Sequence, residues 1–264
     1  MQDDFYYYRD LAEKDFGKGA FIWWIASDGD ILLVGERSER KIFVLDEKFE
    51  TKKEIKIDIE PVIVSVSDNM YAVSDLFNGK VKLFDKDFKE IMNNINISNY
   101  EMPAFFFGKD KNFLIDFQKN KVSIISLNEN PKVEKEFYLK NKLIYDEKIN
   151  KYDLRVIFIK NDVIHCADKE GVVYKISEEG IAQEVYRPKV DFDELKFWMI
   201  ENGIYYAIDN SRNILSAEKI NEPDKYKIKR INSNSANLRM GYFDGKVVYT
   251  EYKEKRCFLK MCEF

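Results

Sequence analysis

Histidine is nearly missing from this chain of 264 residues; His165 is the only one. A Ser-His-Asp triad or a histidine-based zinc site would have to use it. It sits in a strand-like run, Val163-Ile164-His165-Cys166-Ala167-Asp168, where a structural imidazole is expected. Cysteine is scarce too. Cys166, Cys257 and Cys262 are odd in number and spread out, which excludes a disulfide framework. Cys257 and Cys262 lie five apart in one strand-like run, so they should point to opposite faces as small buried apolar residues. No apolar run approaches the roughly 18 residues of a membrane-spanning helix. Neither charge sign dominates: 43 Lys and Arg stand against 47 Asp and Glu, a net charge of −4. That balance argues against a nucleic-acid binder, which needs a concentrated basic face. The first ten residues lack the basic and apolar regions of a signal peptide. The expectation is a cytoplasmic protein, or an exported one that has lost a leader. There is no Gly-rich phosphate loop, no Cys pair at metal spacing, no Gly-x-Ser-x-Gly elbow and no heptad run. No cofactor or metal is therefore expected.

What is abundant is apolar and aromatic: 45% and 15% of the residues. That suffices for one large domain or two small ones. Turns rich in Asp and Asn recur between strand-like runs, at Ser27-Asp28-Gly29, Ser67-Asp68-Asn69, Lys109-Asp110-Lys111-Asn112, Asn161-Asp162, Asn202-Gly203 and Asp244-Gly245. Residues 28, 68, 110, 161, 202 and 244 are spaced by 40, 42, 51, 41 and 42. Such pairs tolerate positive φ and suit hairpins. Each turn follows a continuous apolar run, such as Phe21-Ile22-Trp23-Trp24-Ile25 or Phe105-Phe106-Phe107, the mark of a strand buried on both faces. The strand after each turn ends on an acid: Glu36, Asp75, Asp116, Asp168, Asp209 and Glu251. A third, alternating strand and a more polar fourth complete a unit of about 42 residues, repeated as sheets are in a propeller. None of the five prolines interrupts a proposed central strand, where it would remove a ladder hydrogen bond.

The reading is an all-β, six-bladed β-propeller with four-stranded antiparallel blades, forming a single domain over 1–264. The blades fall at about 20–58, 62–97, 103–139, 153–187, 195–232 and 237–264. The last lacks an outer strand, and residues 4–8, with Phe5-Tyr6-Tyr7-Tyr8, are expected to supply it. Arg9 to Gly17 then reads as a helical or irregular connection. Tyr71-Ala72-Val73-Ser74-Asp75-Leu76-Phe77-Asn78-Gly79-Lys80-Val81-Lys82-Leu83-Phe84-Asp85-Lys86-Asp87-Phe88-Lys89 resembles an NHL-type propeller repeat. The resemblance covers two strands and their turns. It implies a six-bladed propeller and says little about activity. The Gly-His and Trp-Asp signatures of WD repeats are missing.

The six acids would form a ring, which in principle suits Ca²⁺. The second strands lie too far from the axis for one ion, so capping of the following turn is the expected role. Arg155, Lys196 and Arg239 interrupt apolar inner strands. Each faces an acid across a hairpin, which predicts salt bridges to Asp168, Asp209 and Glu251 within their own blades. Their other reading is a basic lining on one side of the channel, fit for an anionic ligand. Most inner-strand aromatics, Trp23 and Trp24 among them, are expected in the core. Tyr100, Tyr145, Tyr152, Phe77 and Phe117 sit in loops and are the candidate rim aromatics for a protein partner or a sugar. The long 51-residue spacing places an insertion at 139–152, expected as a surface loop. The functional expectation is a non-catalytic scaffold that binds a protein or peptide through its loop-rich face. The alternative is a propeller that acts on a carbohydrate or small anion at the channel mouth, as a binding protein or as a hydrolase or lyase.

Overall fold

The computed structural model describes residues 9–92, 97–127, 131–141, 143–144, 154–188, 195–201, 204–209, 211, 213–217, 226–230 and 239–263. Strand β1 (Arg9–Lys18) comes first. The chain then lays down sheets in succession. The first sheet holds β2 (Ile22–Asp28), β3 (Ile31–Glu36), β4 (Lys41–Leu45) and β5 (Thr51–Lys56). The second holds β6 (Ile63–Val66), β7 (Met70–Asp75), β8 (Lys80–Asp85) and β9 (Glu90–Met92). The third holds β10 (Pro103–Phe107), β11 (Asn112–Asp116), β12 (Lys121–Ser126) and β13 (Lys132–Tyr138). The fourth holds β14 (Leu143–Ile144), β15 (Leu154–Lys160), β16 (Val163–Ala167), β17 (Val173–Ile176) and β18 (Ala182–Tyr186). The fifth holds β19 (Leu195–Glu201), β20 (Ile204–Asp209), β21 (Asn213–Ala217) and β22 (Tyr226–Arg230). The sixth holds β23 (Met240–Phe243), β24 (Lys246–Lys253), β25 (Arg256–Glu263) and, at its outer edge, β1.

The architecture is an all-β propeller of four-stranded antiparallel blades. Inner strands of neighbouring sheets touch: β2 meets β6 and β23, β6 meets β10, and β19 meets β15 and β23. Between these sheets lie separate apolar clusters. Ile25, Val34, Leu259 and Met261 fill the space between the sixth and first sheets. Val64, Val73, Leu33 and Ile42 fill the next. Cys257 belongs to the first of these clusters, and Cys262 packs with Tyr206 and Ile208 on the other face of its sheet. Burial pushes the Cys257 thiol up to about 11 and raises that of Cys166 as well, so neither is a nucleophile at neutral pH.

Two expectations need correction. Arg9 to Gly17 is no connection; it lies in β1, which pairs antiparallel with β25 from Arg9↔Glu263 to Lys18↔Arg256. Phe5–Tyr8 lies outside the described residues. Leu11, Ala12 and Phe16 pack on the cluster between the sixth and first sheets. Glu13 pairs with Lys260 at 2.9 Å, and Asp15 pairs with Arg256. Two register shifts, after Asp10 and after Asp15, hide the strand's alternation from a period-two search. Gly17, at φ 88°, sits in the second shift, where a glycine adopts that conformation at little cost. The second correction concerns the insertion. It adds β14, which pairs parallel with β15 through Leu143↔Leu154 and Ile144↔Arg155, so part of this segment returns to the inner edge of the fourth sheet. Tyr145 and Tyr152 lie outside the described residues.

Candidate functional site

In an antiparallel hairpin the inner strand begins where the second strand ends. The starts of the inner strands and the turns after the strand-ending acids therefore share one face, the mouth. The acids hold that face together. Glu36 accepts hydrogen bonds from Phe21 N at 2.8 Å, Ser38 N at 2.9 Å and Glu39 N at 2.6 Å. Asp75 accepts from Glu60 N and Asn78 N. Asp116 accepts from Glu101 N, Met102 N, Gln118 N and Lys119 N. Asp168 accepts from Glu170 N, Val172 N and the Tyr174 hydroxyl. All six acids are buried. In the first three sheets the carboxylate ties the following turn to the segment that leads into the sheet's own inner strand, which is the capping role in extended form.

This scaffold presents a cluster of aromatics and arginines. Trp23 rises from the start of β2. The Arg37 guanidinium, from the turn directly after Glu36, lies 4.9 Å from the Trp23 ring and 4.7 Å from the Phe77 ring. Phe77 meets Trp23 edge-on, with centroids 5.4 Å apart. Arg37 Nε also donates to Glu60 at 2.5 Å, which ties the first sheet to the segment leading into the second. From the other side, the Arg239 guanidinium lies 4.8 Å from the Trp23 ring, and its Nε donates to Trp23 O at 3.1 Å. Cations over aromatic faces gain about 0.5–2 kcal/mol each, more as water is excluded. Trp23 is buried beneath this layer, while Phe77 remains 45% exposed.

The structure places the other candidates differently. Tyr100 is not a rim aromatic; it is buried, 8% exposed. Its hydroxyl lies 2.6 Å from Ser123 Oγ and donates to Glu136 at 3.3 Å, and Lys121 Nζ covers its ring at 4.1 Å. The hydrogen bond from Lys121, with those from Ser123 and Tyr100, holds the Glu136 carboxyl below its ordinary range. Phe117 is buried as well, 5% exposed, because its ring joins the apolar cluster that also holds Trp23, Leu76, Ala104 and Phe106. The expected bridge from Arg239 to Glu251 is replaced: Glu251 pairs with Lys260 at 2.7 Å and Lys253 at 3.3 Å. Arg155 lies opposite Ala167 near the start of β15, and Lys196 lies between the pairs Leu195↔Asp209 and Phe197↔Ile208. The backbone thus puts both at the mouth. Sequence reasoning missed Arg37 and Glu60; Trp23 lies in the core as expected, and Arg37, held by Glu60, lies at its ring. The available signal was register: Arg37 follows its acid as Phe117 follows Asp116.

His165 lies mid-strand on β16, three residues after the Asn161-Asp162 hairpin on the face away from the mouth. Its Nδ1 is 3.1 Å from Val163 O. Among the described residues no group of His, Cys, Asp and Glu could hold a metal ion, and no helix is long and apolar enough to cross a membrane.

No family model matches the chain, and no curated protein matches it. Solved structures do. The chain is similar to virginiamycin B lyase from Staphylococcus aureus, at 11% identity over 96% of this chain and 99% of that one, with a TM-score of 0.60. It is similar to the WD40 domain of Neurospora crassa Pan2, at 9% identity over 96% and 95%, with a TM-score of 0.60. It is similar to the WD40 propeller domain of Doa1, at 11% identity over 90% and 77%, with a TM-score of 0.59. Identities this low establish the propeller fold and leave activity open.

Proposed function

We propose that this chain is a non-catalytic scaffold, a single six-bladed propeller domain with NHL-like repeats, that binds a protein or peptide partner at its mouth. The observation that carries the reading is the Trp23, Arg37, Phe77 and Arg239 cluster. Aromatic and arginine side chains held rigidly around a buried anchor are what interface hot spots are made of. The six hydrogen-bonded sheets support the blade count, and the Tyr71–Lys89 repeat supports the NHL likeness. WD40 domains among the similar structures fit a scaffold role.

The second reading is a carbohydrate or small anion at the channel mouth, favoured by the two guanidiniums that flank Trp23. A lyase reading fits less well. A similar lyase structure in which one histidine is replaced by alanine is catalytically inactive, whereas the single histidine here lies on β16 away from the mouth cluster.

Affinity capture from source lysate tests the scaffold. A partner retained by the wild type should be lost with Phe77→Ala and with Arg37→Ala and kept with Lys52→Ala on the outer strand β5. Equal retention by all three variants removes the mouth as the binding face. A thermal shift with sugars or small anions, and no partner, favours the second reading.

A further inference from the structure

We infer that Asn78, in the turn that carries Phe77, is a deamidation site held closed by Asp75, and that its product loosens the mouth cluster. This adds regulation to the binding face and rests on the scaffold reading only for its effect on a partner. Asn78-Gly79 is one of two Asn-Gly pairs in the sequence. Glycine has no side chain to hinder attack by its own peptide nitrogen on the preceding amide. The matching positions of the turns in the first and third sheets hold Glu39-Arg40 and Lys119-Asn120. Arg40 and Asn120 have φ 56° and 53°, and Gly79 has 62°. The turn therefore forms without glycine. Of these three turns, only the one bearing the exposed aromatic carries the reactive pair.

Asp75 holds the amide. Glu39, Asn78 and Lys119 each donate a backbone N–H to the acid that ends their own second strand. Of the three, only Asn78 adds its side chain: Nδ2 donates to Asp75 Oδ1 at 3.0 Å and to Oδ2 at 2.9 Å. The nitrogen that would leave is thus tied to a buried carboxylate three residues earlier, and Gly79 N reaches Asn78 Cγ only when the turn opens. Asn78 itself is exposed to water. Asp75 also accepts from Glu60 N at 3.0 Å, and Glu60 holds Arg37 against the Trp23 and Phe77 rings. The Asn78 amide is the first link in a chain of contacts that ends in the mouth cluster.

The chemistry needs only water. In the opened turn Gly79 N loses its proton to solvent and bonds to Asn78 Cγ. The Cγ–Nδ2 bond breaks, and Nδ2 takes a proton and leaves as ammonia. Water then adds to one carbonyl of the cyclic imide, and the ring opens to aspartate or to isoaspartate, which has an extra methylene in the main chain. Either product replaces the donor with a carboxylate. Two carboxylates about 3 Å apart repel unless one takes up a proton, and the product has no side-chain N–H to offer Asp75. The turn therefore cannot close as before, and since the ammonia is lost the change runs one way.

Peptide mass spectrometry of the full chain, aged folded and aged in urea, tests the site. In urea Asn78 and Asn202 share one dipeptide chemistry and should react at similar rates. In the folded chain Asn78 should react at least about tenfold more slowly than in urea, because only the opened turn reacts. Asp75→Ala should recover most of that rate while circular dichroism shows the propeller intact. Asn78→Asp gives one product directly and serves even where Asp75→Ala does not fold. Its amide hydrogen exchange at Glu60 and across Phe77–Gly79 should rise at least about tenfold over the wild type. Equal rates in the folded and unfolded chain, a folded Asp75→Ala that stays slow, or unchanged exchange in Asn78→Asp overturns the inference. A lysate partner separates it from the scaffold reading. Weaker retention by the aged chain and by Asn78→Asp supports the regulation, and unchanged retention removes it. If no partner is captured by the wild type while rates and exchange behave as stated, the scaffold reading fails and the deamidation site stands.

Discussion

Asp116 has no exposed surface and accepts hydrogen bonds from four backbone N–H groups, two in the turn after β11 and two in the segment leading into β10. Asp116→Ala leaves those part-buried donors without their acceptor. The expected loss is about 2–4 kcal/mol in urea unfolding; a loss within about 0.5 kcal/mol, the range of ordinary surface changes, would show that the turn holds without its cap. The acid was visible in the sequence because it closes every second strand. Its reach back to the inner strand was not, because that bond joins residues 14 and 15 apart. Tyr100 shows the same limit. It reads as a loop tyrosine, and only the fold brings Ser123, Glu136 and Lys121 around it.

At the scale of strands, the outer edges carry their own protection. β5, β9, β13 and β18 each shift register against the third strand of their sheet, and bulges of this kind discourage pairing with a further chain. Neighbouring sheets are also tied by charge. Glu178, in the turn after β17, accepts from Lys111 at 2.5 Å and from Lys135 at 2.6 Å in the third sheet. The hydrogen bonds from Lys111 and Lys135 lower its carboxyl from 4.5 to about 2. A carboxyl lowered by folding adds stability above its unfolded value and loses it as pH falls through the folded one. The contribution is therefore complete above about pH 4.5 and fades toward pH 2. Glu178→Gln should flatten the pH dependence of the urea midpoint across that window, with an effect that shrinks in high salt because the pair is partly exposed. An unchanged slope would mean that the bridge adds nothing. Both lysines and the glutamate were visible in the sequence, but a pair 67 residues apart has no local signature.

At the scale of the whole molecule, the ring closes without a covalent link. β1 covers the edge of β25, buries Leu11, Ala12 and Phe16, and places Glu13 and Asp15 against Lys260 and Arg256. Gly241 allows the other half of the closure. A Cβ there would stand 2.6 Å from Ile25 Cγ2 of the first sheet, so only glycine lets β23 approach β2 this closely. A chain starting at Gly19 leaves β25 as an open edge. It should associate with itself at rising concentration and unfold over a broader urea range, as read by light scattering and circular dichroism. A synthetic peptide of residues 9–18 should restore the monomer. A sharp, monomeric transition without β1 would show that the remaining sheets close the ring alone.

Repetition and hydrophobic pattern were written in the sequence: apolar inner runs, Asp and Asn hairpins, and an acid at the end of every second strand. Each follows from short-range rules of strand, turn and burial that hold wherever the chain ends up. The strand that closes the ring, the burial of Phe117, the return of the insertion to β15 and the Trp23 cluster depend on contacts between different sheets. Arg37, Phe77 and Arg239 are 202 positions apart from first to last. Only the circular order of the sheets sets them around one indole, because position in a ring is decided by every blade that comes between.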